Sequence, residues 1–291
     1  MEKPFLTRQL MQNPQIEVIE TQATETEENT PKVLFKYRPL STHDDLARVL
    51  DIIINQRLYL PTVAQLNDPF EGCSIIINGT WAGCSIPITI GELQPPMKEA
   101  LGKYRVLSLA GRYDSPQMWA HYANGFKGVC LAISTSSLPY SCEKVEYNNE
   151  IKHEAGSRLE TKECALKDSC ELIARKSLLR KMESWFYENE WRVIVHKDEL
   201  DKPFLNLGEK AFPFIILGQN MQNNFRELIS DICQEKHIPV FRTHQMPQEC
   251  CVLPLPNDMQ LRYDGENIHK QIRDYEQAHN LKSIERLMEM N

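Results

Sequence analysis

Read for apolar spacing alone, the chain divides into short segments with distinct periods. KVLFKYRPL, beginning at residue 32, has the pattern of a strand stopped by Pro39. Thr42 then caps a helix that carries Asp44 and Asp45 in its first turn. Leu46, Val49, Leu50, Ile53 and Ile54 give that helix one apolar face at 3.6-residue spacing. RLYLPT reads as a short strand, QLNDPFEG as turn chemistry, and SIIING as another strand. The Gly- and Pro-rich stretch that follows, to about Pro96, has the composition of a long irregular excursion.

RVLSLA is a further strand, and Ser115-Pro116 opens a short helix through QMWAHYA that Asn124-Gly125 closes. GVCLAIS has the unbroken apolar character of a buried strand, and KVEY follows as one more. Residues 157–184 read as a long helix with Leu159, Leu166, Cys170, Ile173 and Leu178 on one side. EWRVIVH alternates over 190–196, so Glu190, Arg192 and Ile194 share one sheet face and Trp191, Val193 and Val195 the other. FPFIILG, a helix over 222–236 and IPVFR have the form of a βαβ unit, and the chain from about Glu266 reads as a charged amphipathic helix.

These elements predict an α+β fold: a single mixed, mainly antiparallel sheet flanked by helices. Three regions follow. Residues 1–31, ending in TQATETEENTP, lack sustained apolar periodicity and are expected to form a flexible acidic and polar tail. Residues 32–264 make the α+β domain, and residues 265–291 the C-terminal amphipathic helix.

Composition narrows the function classes. The 291 residues are 42% hydrophobic and 25% charged, as in a soluble globular protein. The net charge is −7, of which −3 falls in residues 1–32. A mildly acidic body makes duplex DNA an unfavourable obligatory partner, although a local basic pocket for a nucleotide is compatible with it. No apolar run approaches a membrane span and no signal peptide is recognisable. The nine cysteines show no CxxC pair and sit mostly in apolar stretches, as with Cys130 and Cys233, which fits a reducing cytoplasm. Cys250-Cys251 is a vicinal pair in a Pro-flanked loop. Rossmann, P-loop, zincin, α/β-hydrolase and thiol-phosphatase signatures are absent. His196, His237 and His244 lack metal-ligand spacing, so no metal is expected.

Four clusters set polar and aromatic residues inside core-like sequence. Lys36-Tyr37-Arg38 puts two cations on one strand face, which lines a cavity or is an exposed edge. Asn67-Asp68-Pro69-Phe70-Glu71 is a self-tying turn, or a loop that presents two carboxylates beside an aromatic anchor. Met118-Trp119-Ala120-His121-Tyr122 suits core packing or stacking on a planar ring. In Trp185 to Arg192, Glu190 and Arg192 share a face. That face is a solvated salt-bridge ladder or an inward carboxylate held by Arg192.

KYR, NDPFE, MWAHYANGFKGVCLAI, VEY and WFYENEWRVI, in this order over about residues 33–241, resemble a widespread bacterial family, domain of unknown function 2971. That resemblance implies no activity. The layout also resembles the ADP-ribosyltransferase fold: a basic residue on an early strand, an aromatic-rich middle and a late strand carrying Glu. It implies NAD as substrate, so that NAD or a related nucleotide is the expected ligand and the acceptor macromolecule is open. By position, Arg38 would contact the pyrophosphate or nicotinamide ribose, with Lys36 and Tyr37 beside it. Ser108 or Tyr122 would flank the nicotinamide, with Trp119 or Tyr122 as a ring platform. Glu190 would be catalytic, and Glu188-Asn189-Glu190 resembles the Glu-x-Glu of arginine-modifying members. The implied activity is ADP-ribosyl transfer or NAD glycohydrolysis, in a bacterial toxin or defence effector. A non-catalytic nucleotide- or partner-binding module on the same fold is the alternative. A metal-dependent nuclease gathering Asp68, Glu71 and Glu190 is a third reading.

Overall fold

The computed structural model describes residues 30–72, 75–81, 84–86, 90–149, 152–157, 170, 173–246, 251–262 and 267–290. The expected tail up to residue 29, half of the expected long helix and Cys250 lie outside them. The strands are β1 (Val33–Arg38), β2 (Arg57–Tyr59), β3 (Ile75–Trp81), β4 (Cys84–Ile86), β5 (Tyr104–Ala110), β6 (Val129–Ser134), β7 (Glu143–Lys144) and β8 (Glu146–Tyr147). They continue with β9 (Lys152–Ser157), β10 (Arg180–Lys181), β11 (Glu190–His196), β12 (Phe204–Asn206), β13 (Ile215–Leu217), β14 (Val240–Met246) and β15 (Cys251–Pro256). The helices are α1 (His43–Asn55), α2 (Ile90–Leu101), α3 (Pro116–Tyr122), α4 (Asn223–Glu235), α5 (Ile268–Ala278) and α6 (Ile284–Glu289).

Eight strands form the main sheet in the order β15-β14-β13-β6-β1-β5-β11-β7, with β13 and β14 as its parallel pair. The rest of this sheet is antiparallel, and smaller sheets pair β10 with β8, β12 with β2, and β3 with β4 and β9. The α+β class with a large, mainly antiparallel sheet and flanking helices is therefore as expected; the single sheet is in fact one large sheet with three small ones.

Local chemistry explains most element boundaries. Thr42 accepts from the Asp45 amide while Asp45 reaches back to the Thr42 amide, a reciprocal cap on α1. Ser115 caps α3 with Pro116 in its first turn. α1 buries Leu46, Val49, Ile52 and Ile53, whereas Ile54 is 47% exposed, so the apolar stripe lies one residue from the expected one. The excursion before residue 101 contains α2, with Pro95 and Pro96 inside it. Met97, Ala100 and Leu101 pack at helical spacing against Val106 and Ile194, so tertiary burial outweighs the local proline signal. The long helix expected to run to residue 184 gives way to β10 and a 3₁₀ turn, Glu183–Glu188. The C-terminal helix is two helices, α5 and α6.

The sheet is covered on both faces. Leu34, Leu107, Leu109, Leu131 and Val193 pack under α1 and α4. On the other face Val33, Phe35, Tyr37, Cys130 and Phe214 pack with Met118 and Trp119 of α3 and with Ile284 and Leu287 of α6. Beside that cluster a separate one gathers Val106 and Ile194 with Leu101 and Leu178. Ser108, Glu190 and Arg192 occupy the positions on β5 and β11 between the two apolar groups, which is where the sheet turns polar.

β1 pairs along its length with β6, and β5 along its length with β11. Between β1 and β5 the register holds one pair, Phe35 with Ala110. Beyond it the strands separate, and residues 60–62 take up the freed edge of β5: Thr62 bridges Arg105, and the Val106 amide donates to the Pro61 carbonyl at 3.0 Å. The opened seam leaves the Ser108 carbonyl without a strand partner on this side, and the Lys36 Nζ donates to it at 2.7 Å.

Candidate functional site

A cleft of about 430 Å³ lies in this seam. Lys36, Tyr37 and Arg38 of β1 line it, with Ser108 of β5, Tyr122 and His121 of α3, and Asn67 and Glu71 of the NDPFE turn. Lys181, Glu188, Glu190 and Arg192 complete its polar end. Glu188 and Glu190 both reach the cleft because Asn189 between them takes φ 42°, a left-handed conformation that Asn tolerates. Gly111 packs against this kink: its amide donates to the Asn189 carbonyl at 2.8 Å, and a Cβ there would meet the Asn189 side chain.

The polar end is one connected chain of hydrogen bonds, from Tyr122 to Glu71. Tyr122 donates its hydroxyl to Glu188, and Lys181 donates to Glu188 at 2.5 Å and to Glu190 at 3.0 Å. Arg192 grips Glu190 through Nε at 2.8 Å and Nη2 at 3.0 Å. It grips Glu71 through Nη1 at 2.5 Å and Nη2 at 2.8 Å, and gives Nη1 to the Leu178 carbonyl at 2.6 Å. Asn67, from the same turn as Glu71, lines the cleft beside Tyr122 and acts on its hydroxyl. The Tyr147 hydroxyl accepts from the Glu190 amide at 2.7 Å. Glu188, Glu190, Lys181 and Arg192 are all buried.

The two neighbouring carboxylates are held in different states. Burial works against the ionised form of Glu190, yet Arg192 and Lys181 hold it down to about 2. Glu188 has burial as its dominant influence and is raised, with Lys181 opposing. Burial also raises Glu71 against the pull of Arg192. Burial and the bond to Glu188 push the Tyr122 phenol well up. Burial works against the charge on Lys181, but Glu190 and Glu188 raise it. Across the cleft, burial and the neighbouring Arg38 bring Lys36 down to about 8, with Glu190 and Glu188 pulling the other way. Arg38 itself is lowered by burial and by Arg48, and its Nε is buried without a hydrogen-bond partner.

The acceptor capacity of the carboxylates differs too. A carboxylate offers about four acceptor positions. Three of those of Glu190 are taken, by two Arg192 donors and Lys181, and the Ser108 hydroxyl also acts on it. Glu188 receives from Tyr122 and Lys181 and retains capacity for a ligand hydroxyl.

The structure brings Lys36, Tyr37, Arg38, Ser108, Tyr122, Glu188, Glu190 and Arg192 together, with Asn67 and Glu71. It does not bring in Trp119, whose indole lies in the core between Tyr37 and Phe126 and donates to the Tyr113 carbonyl at 2.7 Å; as a ring platform it is corrected to a packing residue. Asp68 is buried and accepts from the Phe70 amide at 2.9 Å, while Phe70 is 54% exposed. Neither lines the cleft. Lys181 went unnoticed in the sequence, and Tyr147 of the VEY motif was given no role, because each sits in a two-residue strand without periodic signal. Among the described residues no group of three His, Cys, Asp or Glu is placed to hold a metal, and no helix is long and apolar enough to cross a membrane.

Residues 118–193 match the family described as Protein of unknown function (DUF2971), a narrower span than the sequence motifs suggest. The match contains Tyr122, Lys181, Glu188, Glu190 and Arg192; β1 and the NDPFE turn precede it. No curated protein and no solved structure matches the chain.

Proposed function

We propose that the protein is an NAD-consuming enzyme of the ADP-ribosyltransferase type, cleaving the bond between nicotinamide and ribose in the seam cleft. The observation that carries this reading is that Arg38 and Glu190, residues of separate strands, line one cleft together with Lys36, Tyr122 and Glu188. Departure of nicotinamide leaves positive charge on the ribose, and fixed negative charge in a low-dielectric site stabilises that state. Glu190, kept ionised by Arg192 and Lys181, supplies the standing charge. Glu188 has the free acceptor positions for a ribose hydroxyl, so the two carboxylates divide the work. An acceptor nucleophile or water then takes the ribose. A role in bacterial defence or intoxication would follow from such NAD consumption.

A second reading has its own observation. Glu190 already receives three hydrogen bonds from within the protein, which suits a non-catalytic module that binds a nucleotide or a partner in the same cleft.

Nicotinamide release from NAD, followed by chromatography with and without bacterial lysate, tests both. Release by the wild type that is lost in Glu188→Gln and in Glu190→Gln is the expected result. Binding of NAD without release by the folded wild type favours the module, and neither binding nor release removes NAD from both readings.

A further inference from the structure

We propose that Lys36 is a reactive amine that captures an anionic aldehyde or ketone as an imine, with Arg38 holding the anionic group. The inference does not depend on NAD cleavage. Lys36 sits in the strand seam, lines the cleft and is half-buried. Its Nζ has one hydrogen-bond partner among the described residues, the neutral Ser108 carbonyl, and forms no ion pair among them. Lysines elsewhere in the site behave differently, since Lys181 is clamped between two carboxylates. Arg38, two residues along β1, lines the same cleft with its Nε buried and unpartnered. Two adjacent cations that make no ion-pair contact among the described residues form a receptor for an anion, although Asp45 acts on Arg38 and Glu188 and Glu190 on Lys36 from further off, and a cationic neighbour together with desolvation is what activates a lysine as a nucleophile.

The charged and titratable groups that act on Lys36 are Arg38 on its own strand, Glu190 on β11 and Glu188 in the turn before it. With burial, their combined effect is to bring the amine down to about 8, so a useful fraction is neutral at mildly alkaline pH. The step balances without a further reagent: the amine nitrogen bonds to the carbonyl carbon, the carbonyl oxygen leaves as water with the two amine protons, and a carbon–nitrogen double bond remains.

The test treats the full-length protein with substoichiometric pyridoxal 5′-phosphate as a probe, reduces the adduct with borohydride and maps it by peptide mass spectrometry. Lys36 is expected to label about tenfold faster than the other lysines, with a rate that rises between pH 7 and 8.5 and falls when inorganic pyrophosphate competes. Arg38→Gln is expected to slow this labelling about tenfold and labelling by the uncharged pyridine-4-carbaldehyde distinctly less, because the neutral probe loses only the activating charge and not the anion contact; equal slowing with both probes would overturn the role of Arg38 as the anion holder. Lys36→Arg should abolish the adduct in a protein whose far-ultraviolet spectrum is unaltered. Labelling spread evenly over surface lysines, or a wild-type map in which Lys36 is unmodified, overturns the proposal, and neither readout needs a variant to fold.

Discussion

Arg192 and Glu71 stand 121 residues apart in the chain and meet as a two-point ion pair, Nη1 to Oε1 and Nη2 to Oε2, with the Arg192 side chain 1% exposed. The same guanidinium carries Glu190 on its other edge. One side chain therefore ties the NDPFE turn to β11. Arg192→Gln leaves two buried carboxylates short of donors and is expected to cost about 3–5 kcal/mol in urea unfolding. Arg192→Lys should recover little of that, because an ammonium cannot fork to both partners. A loss below about 1 kcal/mol in either variant would mean the tie is slack in solution.

Acid should weaken the fold through Glu190. Its carboxyl is held at about 2 against a usual 4.5, so the stability it contributes is full above 4.5 and drains away as pH falls toward 2. Glu188, which is raised, has the opposite sign and does not share in this loss. Glu190→Gln is expected to flatten the dependence between pH 5 and pH 3 that urea midpoints of the wild type show. Parallel curves would show that Glu190 titrates as an ordinary carboxylate.

Alkali should act the other way through Lys36. Its folded value, about 8, lies below the usual 10.5, so the unfolded chain binds more protons between the two. The Lys36 contribution then rises as pH goes from 8 toward 9.5, against the loss that the Cys130, Cys142, Cys170 and Cys233 thiols, all pushed up by burial, impose over the same range. Lys36→Met should therefore make the fall in stability over that range steeper than in the wild type while leaving the acid limb untouched. Denaturation midpoints at pH 7.5, 8.5 and 9.5 give the comparison.

The C-terminal segment belongs to the core, since Ile284 and Leu287 of α6 pack with Val33 and Phe35. Leu287→Ala is expected to lower stability by about 2–3 kcal/mol in thermal or urea unfolding. An unchanged midpoint would place α6 off the sheet in solution.

The alternation of EWRVIVH and the unbroken GVCLAIS run were enough to read β11 and β6, and Thr42 and Ser115 announced their helices, because each of those signals is local. Glu190 beside Arg192 was legible for the same reason, strand residues two apart sharing a face. What joined them was not. Glu71 reaches Arg192 through tertiary packing, and Lys181 sits in a two-residue strand whose partner is β8. Trp119 stayed open between core packing and a ring platform because an aromatic beside His121 and Tyr122 looks alike in sequence whether it faces a cleft or a core. The helix through Pro95 and Pro96 and the break between α5 and α6 escaped because burial of Met97, Leu101 and Ile284 outweighs local propensity.

The single rung between Phe35 and Ala110 divides the backbone ladder of the large sheet into two plates, which side chains such as Lys36 and Tyr37 also tie together. On one side β15, β14, β13, β6 and β1 are laced together, on the other β5, β11 and β7. A bend at this rung would change the space between Arg38 and Glu190 without breaking a ladder inside either plate. A ligand that touches both plates therefore adds a further tie between them. Amide exchange would register it as slowing at residues 36–38 and 106–109, with β6 and β11 already slow before it arrives.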